Sequence, residues 1–285
     1  MRTARFAKSD PHHHNVQMQT TLISQLAALV AMLPLTAAAV AARLGRNLLL
    51  WLLLAAALAG PAALVGSQIS TGWQPGLSAN LWASIAATLL AFGALCLIRP
   101  GAYRLGALLL PYLALSAVLA IAFSSAPNAE GAPVALSDAW FSAHVVLAVA
   151  SYATLTLAAI AGTAVLLQER ALKRRAQLGW TGQTLPPLAE AEGMQIRLLT
   201  WSAGLMAAAL ATGAANEVIE TGQLLAFTHK ILLAFLAFAC VVALLLLHHR
   251  TGLRGRHAAR WLLAGYLLLL LAYPGVKFVK DVLIG

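Results

Sequence analysis

Apolar residues in this chain of 285 fall in runs of about twenty, and no other feature restricts the fold so severely. A run of that length, at about 1.5 Å of rise per residue, matches the roughly 30 Å hydrocarbon thickness of a bilayer. Lipid offers no partner to a backbone N–H or C=O, so continuous apolar runs must satisfy those groups internally as helices. Composition agrees, since 61% hydrophobic against 10% charged residues is far from the globular range. The expectation is an all-α, polytopic membrane protein with eight transmembrane helices, near 20–42, 47–69, 79–98, 105–123, 139–168, 198–216, 224–247 and 260–280. Residues 1–19 read as a polar N-terminal tail, expected to be disordered, ahead of a membrane domain over 20–285.

Basic residues set the orientation, because short loops rich in Lys and Arg stay in the cytoplasm. Arg43 and Arg46 follow the first span, and Arg99 and Arg104 follow the third. Arg170, Lys173, Arg174, Arg175 and Arg197 separate the fifth from the sixth, and Arg250, Arg254, Arg256 and Arg260 the seventh from the eighth. The alternate loops 70–78, 124–138 and 217–223 carry no basic residue and hold Glu130, Asp138, Glu217 and Glu220. Both termini are therefore expected on the outer side. The net charge of +10 is this topological signal plus attraction to anionic lipid, so the partner it implies is the bilayer and not a nucleic acid. Trp82 and Trp140 near outer ends, and Trp51, Trp201 and Trp261 near inner ends, are expected to form an interfacial belt. The loop 169–197, with Pro186 and Pro187, reads as a solvated connector.

Several chemistries find no support. Cys96 and Cys240 give neither a disulfide framework nor zinc spacing, and without Cys-x-x-Cys-His the chain is not itself a c-type cytochrome. No Gly-rich phosphate loop or nucleophile elbow is present, and bond-making catalysis is not expected. The run His12–His14 has metal-binding composition, but in a polar tail it reads as solvated.

Two histidines lie inside the apolar runs, His144 in the fifth and His229 in the seventh. An ionisable group within a span is costly enough to be a site hypothesis, and imidazole is a common axial ligand of haem iron. Both spans run inward, and each histidine falls about five residues past its start, hence roughly 7–8 Å below the outer boundary. The two helices, joined through one antiparallel return, could border a shared outward crevice. His144 shares a helical stripe with Ala148, Ser151, Ala158 and Gly162, small residues that permit close approach. The bland reading, a histidine that merely hydrogen-bonds between helices, stays open for each. Lys230, beside His229, must snorkel or pair with a carboxylate; Glu217, Glu220 and an anionic ligand group such as a haem propionate are the candidates.

The segment Trp140-Phe-Ser-Ala-His144-Val-Val-Leu-Ala-Val-Ala-Ser151-Tyr152 resembles the histidine-bearing helix of the cytochrome c assembly family of CcsA and CcmC type. Gly213-Ala-Ala-Asn-Glu217, Arg250-Thr-Gly-Leu-Arg-Gly-Arg, Gly265-Tyr and Ala272-Tyr-Pro-Gly-Val-Lys-Phe-Val are similar to later pieces of that family, in its order, over about 75–285. The layout is closest to the YpjD-like and HemX-like inner-membrane branch. The resemblance implies a multi-pass protein of the bacterial inner membrane that binds or presents haem at its outer face for a cytochrome maturation partner or another membrane protein, with His144 as a ligand. The family's tryptophan-rich outer segment is missing, since no Trp lies between Trp201 and Trp261, and so is its last outer histidine. His229 would have to replace that histidine, with Lys230 countering a propionate and Trp140 and Trp82 as an aromatic rim. His248 and His249, beside Arg250, read as a solvated inner helix end. Two other classes remain: a membrane transporter or ion-transport accessory subunit, and a structural partner of a membrane complex that needs no ligand.

Overall fold

A computed structural model describes residues 11–71, 76–124, 139–173, 180–221, 229–252 and 255–270, of which 11–19, 71, 139, 180–181, 220–221 and 229–231 are described by backbone alone. In chain order the helices are α1 (Pro11–Val40), α2 (Leu48–Thr71), α3 (Leu77–Ile98), α4 (Gly106–Ala122), α5 (Ala139–Lys173), the short α6 (Trp180–Thr184), α7 (Leu188–Thr221), α8 (His229–Thr251) and α9 (Gly255–Leu270). A 3₁₀ turn at Pro100–Leu105 joins α3 to α4, and no strand occurs among the described residues. Among the described residues seven stretches are long and apolar enough to cross a membrane, in α1, α2, α3, α4 with the turn that leads into it, α5, α7 and α8. The eighth expected span is described only as the 16 residues of α9, and residues 271–285 lie outside the described ones. Helix α1 begins ahead of the expected first span and takes in residues 11–19; the rest of the expected tail, and the side chains of His12–His14, lie outside the described residues.

Small residues set the helix spacing, as they must where lipid is as apolar as the interface. A Cβ at Gly60 would lie 2.6 Å from the Cβ of Ala28, so α1 and α2 are in backbone contact there. Gly93 accepts Leu54 of α2, and Gly106 accepts Phe92 of α3 and Ala39 of α1, closing α1–α4 into one cluster. Trp82 lies within it, only 1% exposed. That corrects its expected interfacial and rim role: the surrounding Ala79, Ala83 and Ala86 of α3 are small enough for the helices to close over the indole.

In the second half α5 is the central helix, packed on α7, α9 and α3. Its small stripe lies inside the bundle: Ser151, Ala158 and Gly162 are buried, with Gly162 against Leu262 and Ala259 of α9 and Gln195 of α7. His144 near the start of α5 meets Ala209 and Gly213 late in α7, so α5 and α7 are antiparallel. At the basic end Glu169 accepts the backbone N–H of Arg256 at 2.9 Å, where α9 starts with orphan N–H groups. The α5–α7 connector is less solvated than expected. Thr184, Leu185 and Pro186 are buried, because Gln168 donates Nε2–H to the Pro186 carbonyl at 3.0 Å and draws the segment onto α5.

Candidate functional site

The site is assembled where α5 and α7 meet, at the end of the bundle away from the basic loops. His144 lies one and a half turns into α5, and its Nδ1 is 2.8 Å from the carbonyl oxygen of Ala209 on α7. A carbonyl only accepts, so Nδ1 carries the proton and donates it. The lone pair of the neutral ring is then on Nε2. Nε2 makes no hydrogen bond with the described residues, and His144 is half-buried.

Close approach of the ring depends on Gly213, one turn beyond Ala209. A Cβ there would lie 2.8 Å from Cε1, 3.0 Å from Nδ1 and 3.6 Å from Nε2 of His144. The ring thus occupies the space a side chain would take. Toward the start of α5 and the end of α7 an open apolar hollow of about 480 Å³ is lined by Trp140, Ala214, Ala215, Val218 and Ile219. Trp140 is the residue one turn before His144 and is 51% exposed. His144 is not among the residues lining the hollow but lies one turn along α5 from Trp140. An imidazole that close to apolar walls suits a flat, largely apolar ligand that carries one metal or polar centre.

His229 and Lys230 open α8, but their side chains lie outside the described residues, as do residues 222–228 ahead of them. Helix α8 packs on α9 and α7, whereas α5 and α8 have no more than a marginal approach among the described residues. Among the described residues α5 and α8 are thus bridged by α7 and α9, where the two helices were expected as close neighbours. Among the described residues no group of three or more His, Cys, Asp or Glu side chains could hold a metal ion. His248 and His249 stack edge-on at 5.5 Å at the basic end of α8, remote from His144 along the bundle.

One polar cluster went unrecognised in the sequence. The hydroxyls of Tyr112 and Tyr266 are 2.7 Å apart, those of Tyr112 and Tyr152 3.3 Å, and Thr156 Oγ1 is 3.0 Å from Tyr266. Thr156 donates to the Tyr152 carbonyl at 2.8 Å, so Tyr266 donates to Thr156, Tyr112 to Tyr266 and Tyr152 to Tyr112. The chain of hydroxyls ties α4, α5 and α9 together about 12 Å along α5 from His144. Its members are too far apart in sequence for spacing to reveal them.

Comparison with known proteins now places the chain. Residues 48–284 match the model of the cytochrome c assembly protein family, and the chain belongs to that family. It is also 44% identical over 276 residues to an uncharacterized 28.8 kDa protein in a nifR3-like 5′ region of Azospirillum brasilense, covering 94% of this chain and 100% of that protein. No solved structure matches it. With its apolar helices, the family membership makes this a multi-pass membrane protein of the cytochrome c biogenesis type.

Proposed function

We propose that the protein binds haem at the outer end of the α5–α7 pair and presents it to a partner in cytochrome maturation. The observation that carries this reading is the state of His144: Nδ1–H is held by the Ala209 carbonyl, while Nε2 has no hydrogen-bond partner among the described residues, one turn along α5 from the Trp140 that lines an apolar hollow. These residues fit a haem, whose iron His144 would hold through Nε2. Bound there, haem would supply an iron centre and a flat apolar surface; the protein's part is to orient an imidazole and offer apolar walls. His229 is proposed as the second ligand, Lys230 as partner of a propionate and Trp140 as cover for the ring edge. The role is one of holding and handing on, with no bond made or broken by the protein.

The proposed topology has eight spans in a bacterial inner membrane, both termini outside, supported by the basic residues at the opposite end of the bundle. Protein purified from haem-replete cells should carry a Soret band. His144→Ala should abolish it, and His229→Ala should convert the spectrum from six- to five-coordinate, while His248→Ala leaves it unchanged. A colourless wild-type protein from such cells would favour the transporter or structural-partner readings instead.

A further inference from the structure

We propose that Gly213 and the Ala209 carbonyl are positioning elements for His144, fixing its tautomer before any ligand arrives so that Nε2 always offers the lone pair. This rests on the haem reading for the ligand's identity, though the imidazole's state is a property of the chain alone. In a half-buried membrane site, the opposite tautomer would set the Nδ1 lone pair against the carbonyl oxygen 2.8 Å away, an arrangement of two acceptors with no proton between them. Metal-binding histidines are characteristically oriented by such a bond on the second nitrogen, which also raises the basicity of the first.

The glycine makes the bond reachable. Elsewhere on α7, Gly204 has open space where a Cβ would go, whereas at Gly213 that space is filled by the His144 ring, nearest at the Cε1–Nδ1 edge. Any side chain at 213 pushes Nδ1 off the carbonyl. Thr212 adds a further load on the same acceptor, donating its hydroxyl between the Ala208 and Ala209 carbonyls at 2.9 and 3.0 Å. The Ala209 oxygen thus serves its own helix, the Thr212 hydroxyl and the imidazole together. The motif is a turn of α7, Ala209 to Gly213, shaped as a seat for one ring of α5.

The test uses the full chain in lipid bilayers, labelled with ¹⁵N-histidine and free of haem, with the His144 signals assigned by their loss in His144→Gln. Wild type should show a protonated Nδ1 and an unprotonated Nε2, and Gly213→Ala should lose that single state. Titrated with ferric haem, Gly213→Ala should bind about 10–100-fold more weakly than wild type, while Gly204→Ala binds as wild type does. A wild-type His144 that is mainly Nε2–H overturns the proposal, as does a Gly213→Ala variant with unchanged tautomer and affinity. Should Gly213→Ala fail to fold, the wild-type tautomer decides alone. A wild type that takes no haem defeats the haem reading, and the tautomer then still judges the seat.

Discussion

In α1–α4 the hydroxyls of Thr36, Ser84, Thr88 and Ser116 bond back to carbonyls of their own helices. In α5, α7 and α9, His144, Thr156 and Glu169 bond to groups on other helices. Among themselves the helices of the first half are held by shape, with Gly60 on Ala28 and Trp82 enclosed, and Tyr112 of α4 makes its hydroxyl bonds outward to the second half; the second half uses directional polar bonds in addition to small-residue packing. In lipid the two kinds of contact differ in what they specify. Packing fixes distance between helices, whereas a hydrogen bond also fixes which way a ring faces. A ligand site needs the second, and its candidate lies in the half that has it.

The contrast can be broken most forcefully in the packed half. Trp82→Ala should cost about 3–5 kcal/mol of stability through the cavity it leaves, measured by unfolding in mixed micelles, with unchanged haem affinity of the folded fraction. A large affinity loss there would mean the halves are not separable. Gly60→Ala should cost about 1–3 kcal/mol, because the new Cβ meets backbone and not a flexible side chain. In the polar half, Tyr266→Phe removes a hydroxyl that both donates and accepts, and should cost roughly 0.6–1.7 kcal/mol by the same measurement. Glu169→Gln should cost least, about 0.3–1 kcal/mol, since it weakens a charged cap at the start of α9 and an exposed ion pair with Lys173 that contributes little. A Glu169→Gln loss exceeding that of Trp82→Ala would reverse the ranking on which the comparison stands.

Seven of the helical spans were legible in the sequence because hydrophobic length is nearly the whole requirement for crossing a bilayer. His144 was legible for the complementary reason, that a titratable group in such a run needs an explanation. What was missed is instructive in its kind. Trp82 looked interfacial because a tryptophan near a helix end has the same sequence signature facing lipid or facing a core. The seat on α7 left only a glycine as its trace, since the group that orients His144 is the backbone carbonyl of an alanine, and backbone acceptors occur at every position. Tyr112, Tyr152 and Tyr266 meet only through the antiparallel register of α5 and α9 beside α4, which no local pattern encodes.

The central claim, that His144 supplies the bond by which the outer end of α5 and α7 holds its ligand, is tested most directly by deleting the imidazole and returning it from solution. His144→Gly, reconstituted in bilayers and titrated with ferric haem, should lose the Soret signature of the wild type and recover it when free imidazole is added. His144→Gly that binds haem as wild type does, with no imidazole present, would contradict the account.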